Sequence, residues 1–264
     1  MEEKLVIRKK DTRIKDRGYY VAKANDLIRK TRYSLTAQQQ KIILFAISKI
    51  KPDDPPWTKY EFSVEDLCHV CGLRCDAGGT YYRRIKEDLT KLTERTWCIL
   101  PDGSHKTVSW IGDATITPNS GTVSITFNPN MEPYLFDLRQ RYTQYKLEKV
   151  LVFKSGHTIR LWEILRSYTT PMNLEYGKEV QQMIGVDELR EMMGVEGYPK
   201  WADFHRYVIK KAVDEINECS DELHIEYDTI KVGRNVEQLI FYINTPRAKQ
   251  LLSASQKKKE RLNR

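Results

Sequence analysis

One pattern occurs twice in this chain, 122 residues apart, and it limits the available folds more than any other feature. Phe62-Ser-Val-Glu-Asp-Leu67 returns as Ile184-Gly-Val-Asp-Glu-Leu189. At the same offset Cys71-Gly-Leu73 becomes Met193-Gly-Val195, and Tyr82-Arg-Arg84 becomes Phe204-His-Arg206. Each copy reads as an apolar entry residue, a short helix opened by acids that suit its positive end, a glycine stop and an aromatic-basic start to a second helix. A β-hairpin is expected after each: Trp97 to Trp110 in the first copy, and Leu223 to Asn244 in the second, with Gly233-Arg234-Asn235 at its turn. Helix, strand, helix, turn, helix, hairpin is the order of a winged helix. Two such halves point to a duplicated domain; the competing account is a chance match of short amphipathic segments.

The fold class that follows is α+β, two winged-helix domains in tandem as a pseudo-repeat. Residues 1–24 mix charge with few apolar anchors and read as a flexible basic arm, 25–148 as the first domain, 149–246 as the second and 247–264 as a basic tail. The first helix is expected over Ser34 to Ile50, capped by Ser34 or Thr36, with Ile43, Ile47 and Ile50 on one face; Lys51-Pro-Asp-Asp-Pro-Pro56 stops it. Ser63 can cap the next helix, which Gly72 ends, and Thr80 to Glu94 turns Ile85, Leu89 and Leu92 inward. Strands are expected through Ala114–Thr117 and Thr122–Phe127, helix and connector over 130–153, and an amphipathic helix from Ser155 through Ile159, Leu161, Trp162 and Leu165 to Tyr168.

Charge is unevenly spread. The net is +8, yet residues 1–33 carry eleven Lys/Arg against five acids and residues 247–264 carry seven against one, leaving 34–246 with 26 basic and 30 acidic residues. Basic ends of this kind hold a polyanion without sequence discrimination, or serve as solubilising tails. The most apolar stretch, Ile42–Ile50, is too short and polar to span a bilayer, and Met1-Glu-Glu-Lys4 lacks a secretory signal's apolar core. Five cysteines, an odd number, suggest no disulfide framework, so a reducing compartment, the cytoplasm, is expected, with no membrane partner.

In a helix-turn-helix unit the second helix enters the major groove. The first copy offers Tyr81, Tyr82, Arg83, Arg84 and Lys86 there; the second offers Lys200, His205, Arg206, Lys210 and Lys211, with Asp203 the one acid between Lys200 and Lys211. Lys231, Arg234 and Asn235 stand at the second hairpin's turn, where a wing would touch backbone or minor groove. Arginine can pair bidentately with guanine, while lysine mostly neutralises phosphate. A plainer account is a solvated basic face, and it has weight in the first half, where Glu87, Asp88 and Glu94 intervene.

Cys68-His-Val-Cys71 has the C-x2-C spacing of zinc sites, with Cys75 nearby and Cys98 and His105 as candidates for a second pair. The repeat places Arg190, Glu191, Met193 and Gly197 at the positions of Cys68, His69, Cys71 and Cys75, so small buried hydrophobes explain the cysteines better than a metal. The histidines, at 69, 105, 157, 205 and 224, form no H-x-H pair of the kind that a nicking initiator needs. A Gly-x4-Gly-Lys-Ser/Thr phosphate loop, Gly-x-Ser-x-Gly and His-Glu-x-x-His are missing as well. No cofactor and no enzymatic activity are expected; the chemistry is binding.

Asn25-Asp-Leu-Ile28 followed by Tyr33-Ser-Leu-Thr-Ala-Gln-Gln-Gln-Lys-Ile-Ile-Leu44 resembles the opening of the theta-type plasmid replication initiators, the Rep 3 family. Lys154-Ser-Gly-His-Thr-Ile-Arg-Leu-Trp-Glu-Ile-Leu165 and Phe204-His-Arg-Tyr-Val-Ile-Lys-Lys-Ala-Val-Asp-Glu-Ile-Asn217 are similar to later segments of that family, so the resemblance covers roughly 24–245. It implies two winged-helix domains, a monomer on direct repeats in duplex DNA at an origin, a dimer repressing its own promoter, and host initiator and replicative helicase as partners. Family members usually carry an arginine-rich run at the start of the second recognition helix; here the run is His205-Arg-Tyr207, with Lys210 and Lys211 one turn on. A transcriptional repressor would use the same domains without origin melting, and a rolling-circle nickase is the remaining alternative. Removing residues 247–264 should weaken DNA binding of every sequence and flatten the dependence of log affinity on log salt. An unchanged slope would make the tail a solubiliser.

Overall fold

The computed structural model describes residues 7–8, 19–72, 80–99, 104–117 and 120–246. The basic tail and most of the N-terminal arm lie outside these residues. The chain divides after Leu151 into two compact units.

The first unit runs β1 (Ile7–Arg8), β2 (Tyr20–Ala24), α1 (Asn25–Lys30), β3 (Thr31–Arg32), α2 (Ala37–Ile47), β4 (Lys59–Ser63), α3 (Val64–Cys71) and α4 (Thr80–Thr93). It continues with β5 (Arg95–Ile99), β6 (His105–Ser109), β7 (Ile111–Thr117), β8 (Thr122–Phe127), α5 (Glu132–Leu135), β9 (Tyr142–Lys146) and α6 (Glu148–Leu151). The second unit runs α7 (Gly156–Arg166), α8 (Pro171–Tyr176), β10 (Val180–Gly185), α9 (Val186–Met192), α10 (Trp201–Phe204), a π-helical turn over His205–Ile209, α11 (Lys210–Cys219), β11 (His224–Val232) and β12 (Asn235–Asn244).

The two units share a plan. Sheet order is β1-β4-β8-β7 in the first, with β1 parallel to β4, and β10-β12-β11 in the second, so in both the strand before the short helix pairs with the last strand of the hairpin. This corrects the expectation for the first wing. Trp97 to Trp110 does contain a hairpin, with β5 and β6 antiparallel from Arg95↔Ser109 to Ile99↔His105. That hairpin joins β3 through Thr31↔Cys98 and Arg32↔Trp97, in a sheet of its own. The counterpart of β11–β12 is β7–β8. Both hairpins obey the same local alternation, and only long-range pairing with β4 distinguishes them.

The glycine stops recur as geometry. Gly72 and Gly194 both adopt left-handed backbone, at φ 68 and φ 63. After α9 the amide of Gly194 donates to Glu191 O and that of Val195 to Arg190 O, the paired bonds of a Schellman end. Ser63 accepts from the Asp66 amide and Asp66 answers to the Ser63 amide, a full capping box. Thr36, rather than Ser34, caps α2 in the same way with Gln39. At the start of α7, Ser155 accepts from the Thr158 amide.

Three further expectations change. Residues 20–24 are not arm: Tyr20–Ala24 pairs antiparallel with β9, from Tyr20↔Lys146 to Ala24↔Tyr142, and Val21 and Lys23 are buried. The stretch 130–153, expected as helix and connector, supplies that partner strand; a pairing across more than a hundred residues leaves no local signature. α2 and α7 are not one-sided either, since every residue of Gln39–Ile47 and of Thr158–Ser167 is buried. Their polar members are satisfied inside: Lys41 Nζ donates to Leu151 O at 2.9 Å, Arg160 Nε to Met192 O at 2.8 Å, and Arg166 Nε to Glu222 Oε1 at 2.5 Å.

Around Gly72 the space for a Cβ is open. Gly72→Ala should therefore destabilise the first unit through backbone conformation alone, by about 1–2 kcal/mol. Gly197 is equally unhindered and lacks a positive φ, so Gly197→Ala should leave urea denaturation nearly unchanged. Equal effects of the two substitutions would contradict the argument.

Candidate nucleic-acid interface

The helix following each stop glycine is buried along one stripe. In α4 the stripe is Ile85, Leu89 and Leu92; across α10, the π turn and α11 it is Phe204, Val208, Ile209, Ala212, Val213 and Ile216. Most of the remaining charged residues face outward. Arg83, Arg84 and Lys86 are exposed on α4, with Tyr81 and Tyr82 half-buried at its start and their rings 4.8 Å apart. Tyr82 turns its hydroxyl toward Gly121 in the β7–β8 turn, so it is partly a packing residue.

The acids that weakened the first helix as a DNA surface are largely accounted for. Asp88 points inward and accepts hydrogen bonds from Gln38 and Gln39 at the start of α2. Burial pushes its carboxyl above the ordinary range, with the Gln39 and Gln38 hydrogen bonds opposing that shift. Glu94 pairs with Lys91 at 2.9 Å, and Glu87 lies 3.8 Å from Arg83.

In the second unit Lys200 is the exposed N-cap of α10, and Arg206, Lys210 and Lys211 are exposed beyond it. Lys210 is engaged by Asp214 at 2.6 Å. Lys231, Arg234 and Asn235 are exposed at the tip of β11–β12, where Gly233 and Arg234 form a two-residue loop with Gly233 at φ 62. Of the residues singled out from sequence, His205 is placed differently. Its Nε2 lies 2.7 Å from the Tyr227 hydroxyl on β11 and its ring 5.2 Å from that of Trp201, so it ties the helix to the wing.

Sequence reasoning passed over Tyr198, Tyr207 and Arg190. The Tyr198 and Tyr207 rings stack at 5.5 Å, with the Arg206 guanidinium 5.3 Å and the Lys211 ammonium 5.5 Å from the Tyr207 ring. Tyr198 sits at φ 58 immediately before Pro199. Arg190 donates to the carbonyls of Gly197 and Tyr198 while its guanidinium lies 4.3 Å from the Phe204 ring, so a core aromatic anchors the turn. Four aromatics from Tyr198 to Tyr207, interleaved with Lys200 and Arg206, were the available signal.

Of the cysteine cluster the structure places Cys68, which is buried, and His69, the next residue on α3, which is exposed; Cys75 and the side chains of Cys71 and Cys98 lie outside the described residues. Among the described residues no group of three or more His, Cys, Asp or Glu could hold a metal ion, and no helix is long and apolar enough to cross a membrane.

Two units of this plan, each presenting a one-sided basic helix, define a tandem winged-helix protein. The chain belongs to the Rep 3 family of initiator replication proteins: the family's WH1 model matches residues 20–166 and its WH2 model residues 185–243. The WH1 match takes in α7, yet α7 is bonded within the second unit, through Thr158 to Glu215 and Trp162 to Ser220. The fold is similar to the crystal structure of the Pi initiator protein in complex with iteron DNA, with TM-score 0.69 and 19% identity, over 86% of this chain and 98% of that one. Weaker likenesses join it to the WH1 domain of a replication protein isolated from a multiple sclerosis patient and to RctB domains 2-3. The first has TM-score 0.27 and 18% identity over 37% of this chain and 76% of that one. The second has TM-score 0.42 and 11% identity over 81% and 84%.

Burial, and then the nearby Lys210 charge, lower the pKa of His205 below its ordinary value of about 6.5. A depressed folded-state pKa means that the neutral ring's contribution is present above the unfolded value and lost as pH falls through the folded one. His205→Gln should therefore blunt the acid sensitivity of the second unit between about pH 7 and pH 5 in urea denaturation. Wild-type and variant curves that stay parallel over that window would contradict the assignment.

Proposed function

We propose that this chain is a plasmid replication initiator that binds short direct repeats at an origin in duplex DNA. Both units take part, and the second supplies most of the sequence discrimination. The observation that carries this reading is the asymmetry between the units. The second pairs an outward basic helix with a wing tip bearing Lys231 and Arg234, whereas no Lys or Arg occurs between Ile111 and Phe127 of the first unit's β7–β8. Family membership supports a role in initiation, and the likeness to an initiator solved on iteron DNA supports repeats as the target.

On this reading Arg206 is placed for base contact, since its fork matches the guanine O6 and N7 acceptors in the major groove. Lys200, Lys210, Lys211 and Arg234 serve mainly phosphate, with Lys231 and Asn235 beside Arg234 on the wing. Arg83, Arg84 and Lys86, with Tyr81 and Tyr82, give the first unit a weaker hold. A dimer that represses its own promoter, and association with the host initiator and replicative helicase in the bacterial cytoplasm, complete the proposal.

The test compares affinity for tandem repeats from the DNA flanking the gene with affinity for random duplex. Arg206→Ala should cost about 1–3 kcal/mol on the specific site and much less on random DNA. Equal losses on both would remove Arg206 from base readout. A wild-type chain that binds both duplexes alike would end the initiator reading.

A further inference from the structure

We propose that Tyr207 is a base-reading residue, its ring making the apolar contact to a thymine methyl beside the base addressed by Arg206. The inference rests on the reading of the second unit's basic helix as the one that enters the major groove.

Tyr207 and Tyr198 are 39% and 42% exposed, high values for aromatic side chains that are nonetheless held in a fixed arrangement. Their fixing is built in stages from the core outward. Phe204 is fully buried, Arg190 lies against its ring, and Arg190 in turn holds the carbonyls of Gly197 and Tyr198. Tyr198 is thereby kept in left-handed backbone, a conformation that a residue with a Cβ adopts only when its surroundings impose it. It stacks on Tyr207 at an interplanar angle of 28°. The ring is therefore positioned before any ligand arrives, which lowers the entropic cost of using it.

The surroundings of the ring then decide what it touches. Arg206 and Lys211 both approach Tyr207, so any polyanion drawn to those two cations brings its surface over the ring. Toward phosphate only the hydroxyl has a hydrogen bond to offer, and the ring face has none. In the major groove its match is the C5-methyl of thymine, the one apolar group displayed on a base edge. The π-helical turn adds to this. The Lys210 amide bonds to His205 O, five residues back, so the helix is widened where Arg206 and Tyr207 project; such turns recur at functional sites. Tyr198 makes no base contact on this account and acts as the positioning residue for Tyr207.

The experiment uses the full chain and a duplex that it selects from a random-sequence pool. Each thymine of the selected site is replaced in turn by deoxyuridine, which removes the methyl and keeps the pairing, and affinity is read by fluorescence anisotropy. For wild type, one such replacement should weaken binding roughly 3- to 10-fold. Tyr207→Phe should keep that ratio, Tyr207→Ala should bind both duplexes alike, and Tyr198→Ala should shrink the ratio while affinity for random duplex holds. Wild-type binding insensitive to every replacement, or a Tyr207→Ala variant with the wild-type ratio, overturns the proposal. If Arg206→Ala relaxes the selected sequence in those cases, the initiator reading stands without Tyr207. Selection of no sequence at all removes both.

Discussion

The helices that follow Gly72 and Gly194 are buried along a single stripe, and everything proposed for this molecule depends on that one-sidedness. Ile85, Leu89 and Leu92 hold one helix; Phe204, Val208, Ala212 and Ile216 hold the other. Burying each such aliphatic or aromatic side chain is worth about 1.5–3 kcal/mol, whereas ion pairs between exposed side chains are weak. No rearrangement of surface charge could rotate these helices over their cores. The basic residues face outward because the apolar ones have fixed the other side, and the outer face can vary without disturbing the fold.

Given that frame, the acids matter as much as the bases. Asp88 is drawn inward by Gln38 and Gln39, so α2 both supports α4 and takes a negative charge off its outer face. Asp214 stays outside and engages Lys210. That contact is exposed, and a phosphate could replace the carboxylate at little cost. The surface of the second unit is thus partly self-neutralised, which on the proposed function would ease release from non-specific DNA.

What could be read from sequence was local. The duplicated helix start, the Ser63 box, the glycine stops and the inward stripe of α4 each depend on residues within a few positions of one another, and each took the expected geometry. The β2–β9 pairing and the placement of β7–β8, rather than β5–β6, beside β4 depend on contacts that local pattern does not encode. The same limit applies to the interface. Arg206 and Lys211 stand out as charges in a basic segment, but Tyr207 stands out only when Tyr198 lies against it. That contact in turn requires Arg190, eight residues before Tyr198, to hold the turn. His205 was legible as a polar residue at the right spacing and illegible as the partner of Tyr227, which follows it by 22 residues.

The two halves have diverged where their duties would differ. Equivalent helices lie 122 residues apart in sequence, but Ile111 and Thr122, which open β7 and β8, correspond to His224 and Asn235 at an offset of 113. The first unit carries extra chain there, and that chain is the β5–β6 hairpin joined to β3. A hairpin spliced between helix and wing leaves the β4-β8-β7 order intact, because the strand order is set by the apolar face of the sheet and not by the length of the connection. The insertion is therefore tolerated as structure and is available for change as surface. The wing that follows it has no Lys or Arg, while the wing without an insertion has both at its tip. The two scaffolds share one order; on the proposed function, the unequal charge on their wings would let the second unit read sequence while the first mainly holds on.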